Sequence, residues 1–309
     1  MSRPFLLQSV LALSACVLAL VAMKPAMANS SCARFTASDI DVTYDPLGAQ
    51  GTNQIVRPLS LRVARNSGSG SSTVIAQFVD WDSNTTLRIG SRGPIYTIEG
   101  NNTVVTNRYN AALLPNQYFT HTFQSKKSDM YEVVNGLQFF IDPGQDIPAG
   151  VYDETLDVQY RCLNGSLFDH STDWQSGVLH VSVNVPSKLV ANLSGGSTSG
   201  TLDFGDFNDH VRGAMVNVNS TGPFTVRIDS DNYGHMVLDG MAHPGHDARI
   251  DYGLSFNGFP ARLGSQMHFF RTGIGGAGFP LVVYTNDLLG KRAGTYRDTL
   301  TVTVTPTAF

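Results

Sequence analysis

The chain carries the segment AGVYDETLDVQY at residues 149–160 and repeats it as AGTYRDTLTVTV at residues 293–304, without a gap, at a shift of 144 residues from position 149 to position 293. In both copies Gly marks a turn, and Tyr, Leu and Val then alternate with other residues as in a half-buried strand. Short apolar runs at 137–141 and 281–285 precede the two copies at the same shift. The repeat therefore predicts two domains of one kind, each ending in a similar pair of strands.

Composition and periodicity favour β-structure along the whole chain. Hydrophobic residues make up 42% of the chain and charged residues 15%, with 30 Gly, a balance typical of strands joined by tight turns. No stretch after the N-terminal segment keeps an apolar 3.6-residue period over three turns. Segments 59–63 and 224–228 alternate with period two, and a further strand is expected after each, at 73–79 and 235–238. We therefore expect two tandem immunoglobulin-like β-sandwiches.

The N-terminal segment 1–28 has the three parts of a secretory signal. Arg3 supplies the positive charge, residues 11–22 the apolar centre and residues 26–28 (Ala-Met-Ala) the cleavage site. The sequence LSAC ending at Cys16 also matches a lipoprotein cleavage site, and acylation of Cys16 stays an alternative, although the apolar run continues beyond it. We expect a signal over 1–28, a first domain over 29–186 and a second domain over 187–309.

Two cysteines remain once the signal is removed. Cys32 opens the first half and Cys162 closes it, in an exported protein whose surroundings permit oxidation. A disulfide between them is predicted, with two free buried thiols as the alternative. Neither Cys has a neighbour at zinc-ligand spacing, so we expect no metal.

The first copy of the repeat is followed by a further strand, and the second copy is not. Residues 178–185 alternate so that four aliphatic side chains share one face, namely Leu179, Val181, Val183 and Val185. Only residues 305–309 follow the second copy. The second domain is therefore predicted to be incomplete, lacking its final strand.

An incomplete sandwich has an apolar groove between its sheets and unpaired backbone groups along one edge, both unfavourable in water. A strand donated by another chain fills such a groove, with backbone hydrogen bonds supplying affinity. Two alternatives stay open: the second domain is a smaller closed sandwich, or strand 178–185 belongs to the second domain.

Three segments of the second half resemble the spore coat protein U domain family, found in subunits of archaic, Csu-type chaperone-usher pili. They are LDFG at 202–205, IDYGLSFNG at 250–258 and the closing strand at 293–305. The resemblance covers residues 190–309 well and 30–165 more loosely. It implies an acceptor groove with Tyr296, Leu300, Val302 and Val304 at its edge.

The resemblance also implies partners and a location. A periplasmic pilus chaperone fills the groove first, and at the outer-membrane usher the N-terminal extension of an adjacent pilin subunit replaces it. Shaft subunits have one domain and carry such an extension, whereas this chain has two and only residues 29–31 precede Cys32. The chain thus resembles the two-domain tip adhesin, exported through the periplasm to the cell surface, where it would contact an abiotic or cell surface in adhesion and biofilm formation.

Two apolar loops are candidates for that contact. The first, 163–176, contains Leu167, Phe168 and Trp174, and the second, 109–119, contains Leu113, Leu114 and Tyr118. Large apolar residues are unusual in loops. The alternative is that these side chains close over the sandwich core.

Catalysis, cofactors and nucleic-acid binding have no support. The GIGGAG segment at 273–278 precedes a strand and opens no helix, so we expect a flexible loop there rather than a phosphate site. The net charge of −4 argues against polyanion binding. Alternative functions are a spore-coat-like or surface-layer protein, a two-domain periplasmic chaperone and a secreted β-sandwich enzyme such as a glycosidase, for which Asp80 and Asp82 are the nearest paired carboxylates.

Overall fold

A computed structural model describes residues 31–66, 70–81, 86–108, 117–125, 127–164, 167–168, 172–206, 210–241, 244–285 and 288–307. The predicted signal, Cys16, Asp82, Leu113 and Leu114 lie outside these residues. Of Leu167 and Phe168, only the backbone is described.

The described residues form strands and two short 3₁₀ turns, Ala49–Gly51 and His246–Ala248, as the all-β prediction requires. The strands of the first half are β1 Ala33–Ala37, β2 Ile40–Thr43, β3 Ile55–Pro58, β4 Leu61–Arg65, β5 Thr73–Asp80, β6 Tyr96–Gly100, β7 Thr103–Val104, β8 Thr106–Arg108, β9 Phe119–Thr122, β10 Tyr131–Val134, β11 Leu137–Ile141, β12 Gly150–Asn164, β13 Leu167–Phe168 and β14 Asp173–Val185. Those of the second half are β15 Leu189–Leu193, β16 Val211–Ser220, β17 Phe224–Ser230, β18 His235–Leu238, β19 Arg249–Phe256, β20 Phe259–Ala261, β21 Gln266–Phe269, β22 Gly273–Thr285, β23 Tyr296–Arg297 and β24 Leu300–Pro306.

Within the described ranges, every strand pair joins two strands of the same half. The sheets of the first half are β1-β4-β10, β3-β11-β6-β7 and β2-β14-β12-β5-β8, with β9 beside β5 and β13 beside β12. Those of the second half are β15-β16-β22-β19-β18-β23, with β20 beside β19, and β21-β17-β24. Each half has its own cluster of buried apolar side chains, between Cys32 and Val185 and between Phe204 and Val283.

The repeat has the same local conformation in both halves. Gly150 has a φ of 153° and Gly294 a φ of 150°, values that L-residues with a side chain rarely adopt. Two residues further on, the hydroxyls of Tyr152 and Tyr296 each donate to the carbonyl four residues upstream, at 2.8 and 2.7 Å. The conserved spacing of Gly and Tyr in the two copies therefore encodes one turn used twice.

Strand pairing corrects one correspondence expected from the sequence. Residues 157–162 of β12 pair with 79–74 of β5, and the equivalent residues 301–306 of β24 pair with 229–224 of β17. The counterpart of β17 is thus β5, at a shift of 150 residues from position 74 to position 224, and not segment 59–63. Period-two alternation is shared by most half-buried strands, so it did not identify the correct counterpart.

A second correction concerns the glycine-rich segment 273–278. It lies in β22, where it pairs with β16, and is not a loop. A side chain on Gly278 would lie 3.0 Å from the sulfur of Met215. At this position, the missing side chain lets Met215 lie over the sheet.

The predicted disulfide is present. Cys32 and Cys162 are joined across 130 residues of sequence, and both are buried in the first half. Because Cys162 lies near the end of β12, the bond ties the start of the first half to its closing strand.

Residues 186–188 connect β14 to β15, and further contacts join the two halves beside this connector. The Ala149 backbone N donates to the carbonyl of Thr221 at 2.8 Å, and the guanidinium of Arg271 donates to both oxygens of Asp146 at 2.9 and 3.1 Å. β12 therefore starts beside the second half and runs away from it. The end of β12 and the start of β14 lie at the opposite end of the first half.

Candidate strand-acceptor groove

Among the strands that the structure describes, the closing strand has two neighbours in the first half and one in the second. β12 pairs with β5 along one edge and with β14 along the other. β24 pairs with β17, and no other described strand pairs with it. In β12, the edge away from β5 pairs with β14. The equivalent edge of β24, away from β17, has no partner strand in the described part of the chain.

Burial follows this difference in pairing. Leu156 and Val158 in β12 are 0% exposed and Tyr160 is 1% exposed. Their equivalents in β24, namely Leu300, Val302 and Val304, pack against the second core but stay only half-buried. The same apolar face is therefore covered in one copy and accessible to solvent in the other.

β15 provides the facing wall. Of the strands with described positions, only β16 pairs with it, so it forms an edge of the larger sheet, and its Leu189, Ala191 and Leu193 are half-buried against the second core. We call the space between β15 and β24, bordered by these three side chains and by Leu300, Val302 and Val304, the acceptor groove. Its two edge strands have backbone groups free to pair, and its apolar sides suit alternate side chains of an extended segment.

The groove closes towards the connector. The Ser187 hydroxyl donates to the Thr307 carbonyl at 3.5 Å, and the Thr307 backbone N donates to the Pro223 carbonyl at 2.9 Å. β24 therefore runs towards the first half and ends beside the connector.

Tyr296, the fourth residue predicted for the groove edge, lies in a different sheet from the other three. It is in β23, which pairs with β18, and its hydroxyl donates to the carbonyls of Arg292 and Asp247 at 2.7 and 3.2 Å. The closing segment, expected as one strand, is divided here into β23 and β24.

Asp298 lies at this division and was not predicted as a site residue. Its Oδ1 accepts the backbone N–H groups of Asn232 and Thr299 at 3.0 and 2.8 Å. Its Oδ2 accepts the hydroxyl of Ser230 at 2.7 Å and the hydroxyl of Tyr252. Burial, reinforced by the hydrogen bond to Asp298, raises the pKa of Tyr252 well above its ordinary value, so its hydroxyl stays a donor. The available sequence signal was an acid at the same place in both copies, Glu154 in the first.

The predicted surface loop 163–176 is shorter than expected. β12 extends to residue 164 and β14 begins at Asp173, since Tyr160 pairs with Asp173 across the strands, and Leu167–Phe168 forms the short strand β13 beside β12. Trp174 is therefore a strand residue, 39% exposed, with its ring 5.1 Å from that of Trp81. Tyr118 is half-buried just before β9.

A cleft of about 730 Å³ opens between β9 and β10 of the first half. The Glu132 carboxylate in its wall lies 3.0 Å from His121 Nε2 and accepts the backbone N–H groups of Gln124 and Ser125 at 2.9 and 2.8 Å. Burial raises the pKa of Glu132, but the two N–H groups and His121 outweigh burial, and the pKa lies below its ordinary value. This polar contact joins the sheet that contains β9 to the sheet that contains β10.

Among the residues with described positions, no group of three or more His, Cys, Asp or Glu side chains is arranged to hold a metal ion. No helix in the same residues is long and apolar enough to span a membrane.

No family model and no curated protein sequence matches the chain. Solved structures similar to it include the chaperone–tip adhesion subunit pre-assembly complex of archaic chaperone-usher Csu pili from Acinetobacter baumannii, at 15% identity and a TM-score of 0.40 over 88% of this chain and 100% of that chain. CfaE, the adhesive subunit of CFA/I fimbria of enterotoxigenic Escherichia coli, aligns at 11% identity and a TM-score of 0.42 over 88% and 93%. The CupB6 tip adhesin of Pseudomonas aeruginosa aligns at 10% identity and a TM-score of 0.38 over 88% and 94%.

Proposed function

We propose that the protein is a pilus tip subunit whose second half accepts a strand donated by the next subunit. The observation that carries the proposal is the comparison of β12 with β24. Two similar strands occur, and within the described ranges the strand of the first half has partner strands on both edges, whereas the strand of the second half has one on a single edge. A donated strand would bury Leu300, Val302 and Val304 as β14 buries their equivalents, and it would pair the open backbone groups of β24.

The direction of β24 supports a place at the end of a fibre. β14 is antiparallel to β12, and a donor bound to β24 in the same sense would begin beside the connector and leave at the opposite pole of the second half. The donating subunit then lies on the side away from the first half. The first half is left at the free end, where an adhesin domain acts.

The other partners follow from the same groove. Before assembly, a periplasmic chaperone would fill it, because an exposed apolar groove with two strand edges favours aggregation. The outer-membrane usher would then be the place where the chaperone strand is exchanged for that of the adjacent pilin. This route places the assembled protein at the cell surface, on the pilus tip.

A fused donor strand tests the acceptor function directly. A second copy of residues 173–185, appended after Phe309 through a short turn, is expected to fill the groove, because a tether gives the strand a millimolar effective concentration. The free energy of unfolding of the second half should rise by about 2 to 3 kcal/mol, which is the stabilisation that a ligand gives when its concentration is roughly one hundred times Kd. Urea unfolding and hydrogen exchange of the β24 amides measure the gain.

The matched control is the same fusion with Asp in place of the appended copies of Val181 and Val183, which should give no gain. The proposal fails if both fusions unfold like the parent protein and the β24 amides are already protected in the parent.

We further propose that the first half contacts the target surface through the apolar residues Leu113, Leu114, Tyr118, Leu167, Phe168 and Trp174. Replacing Leu113, Leu114 and Phe168 by Ser is expected to abolish attachment of piliated cells to a surface while leaving the melting temperature unchanged. The control changes three exposed apolar residues of the second half to Ser: Val211, Phe259 and Leu289, which are 55%, 68% and 86% exposed. A large fall in melting temperature would show instead that the three first-half residues belong to the core.

A further inference from the structure

Asp298 connects the two sheets of the second half just before β24, one wall of the acceptor groove, begins. On one side of it, Tyr296 pairs with Leu238 in β18, and on the other, Leu300 pairs with Ser230 in β17. β18 belongs to the larger sheet and β17 to the smaller one. The chain thus crosses from one sheet to the other at Asp298.

The hydrogen bonds of Asp298 repeat this connection through a single carboxylate. Ser230 is the last residue of β17 in the smaller sheet, and Tyr252 lies in β19 of the larger sheet. The two hydroxyls that donate to Oδ2 of Asp298 therefore come from different sheets. The backbone N–H of Asn232, which donates to Oδ1, belongs to the turn after β17. The Ser230 hydroxyl stabilises the same turn by accepting the Gly234 N–H at 2.8 Å. Hydrogen bonds to an ionised acceptor are among the stronger ones in proteins. The spacing of the two sheets is therefore set locally by this residue.

An unfilled groove needs such a spacer. Leu189, Ala191 and Leu193 on one side and Leu300, Val302 and Val304 on the other lose contact with water if the two sheets approach each other, so collapse of the groove is favoured. A collapsed groove has to reopen before a strand can enter, which lowers the fraction of binding-competent protein and the apparent affinity.

The first half provides the contrast. Glu154 is at the same position of the repeat, but it accepts the backbone N–H groups of Gly90 and Thr155, at 3.0 and 3.2 Å. Val181 of β14 pairs opposite Glu154. These two donors lie in the segment before β6 and in β12 itself.

We propose that Asp298 is a positioning residue that holds the acceptor groove open before the donor strand arrives, an inference that rests on the proposed function. The hydrogen-bond partners of the Asp298 carboxylate named above all belong to the second half itself and not to the donated strand. Its removal should therefore slow association of the donor and leave dissociation of the bound strand unchanged.

The test uses the full mature chain and a synthetic peptide with the sequence of residues 173–185. Asp298→Asn is expected to slow peptide association about tenfold, the effect of weakening one charge-assisted hydrogen-bond network. Glu154→Gln, at the equivalent position of the filled sandwich, and Asp229→Asn, a 40%-exposed partner of Arg227, should leave the rate unchanged. A faster dissociation with normal association would overturn the proposal.

A distance measurement separates positioning from general stability. Spin labels at Val190 and Thr303, exposed residues of the two edge strands, should lie closer together in Asp298→Asn than in the parent protein, and saturating peptide should restore the parent distance. An unchanged distance would refute the spacer role even if the variant melts at a lower temperature. If Asp298→Asn fails to fold, Tyr252→Phe removes one of the four donors and should shift the distance in the same direction by less.

The two hypotheses fail in different ways. If the parent protein binds no peptide and gains nothing from the fused strand, the acceptor function is wrong. If the parent binds and Asp298→Asn behaves like it in both rate and distance, only the spacer role is wrong.

Discussion

Leu156→Ala is expected to lower the free energy of unfolding of the first half by about 2 to 5 kcal/mol, whereas Leu300→Ala should cost the isolated protein about 1 kcal/mol. The two leucines hold the same position of the repeat. Leu156 is 0% exposed opposite Leu179 of β14, so its truncation leaves a cavity. Leu300 is only half-buried, so part of its side chain has not yet left water. Urea unfolding of each variant, followed separately for the two halves, measures the difference.

The difference should disappear once the groove is filled. In the protein with the fused donor strand, Leu300→Ala is expected to approach the cost of Leu156→Ala, because the donor would complete the burial of Leu300. Val302→Ala and Val158→Ala form a second matched pair with smaller side chains. Equal costs for Leu156→Ala and Leu300→Ala in the protein without a donor would mean that the second half is already a closed sandwich.

Replacing both Cys32 and Cys162 by Ser is expected to lower the stability of the first half by about 4 to 5 kcal/mol. The bond closes a loop with a sequence separation of 130, and on the chain-entropy model a loop of this order restricts the unfolded chain by that amount. Urea unfolding under oxidising conditions measures the loss, and the transition of the second half, which the bond does not cross, serves as the internal control.

Reduction of the parent protein should reproduce the effect of the double substitution. An unchanged transition midpoint for the first half in both experiments would contradict the prediction. A shift of both halves together would show instead that the contacts beside the connector, such as Arg271 with Asp146, make the two halves unfold as one unit.

The matched positions give the repeat a functional meaning. β12 and β24 have closely similar sequences, and each has one equivalent neighbour, β5 or β17. They differ in the strand at their second edge. Because β24 has a partner on one edge only among the described strands, each substitution in the groove has a matched reference position in β12.

Local patterns in the sequence were sufficient for the strands and for part of the groove. Period-two alternation predicted β14 with Leu179, Val181, Val183 and Val185 on one face, and all four are buried. The pairing of β14 with β12 resolves which half it belongs to. The Gly and Tyr of the repeat predicted a shared turn, and Leu300, Val302 and Val304 are alternate, half-buried residues of β24. These features depend on residues near one another in the chain, where spacing determines which face a side chain occupies.

Features that depend on pairing between distant segments needed the tertiary structure. Trp174 lies in a strand and not in a loop because β14 continues its pairing with β12 as far as Asp173. The division of the closing segment at Asp298 depends on Leu238 and Ser230, which lie in two different sheets and, for Ser230, 68 residues earlier in the chain. Alternation specifies which side of a strand faces the core, but a register shift or a change of sheet leaves the alternation intact. The sequence by itself therefore determined the repeated strand and its apolar face, and only the tertiary structure decided which edges of that strand have partners and which carboxylate keeps the two sheets apart.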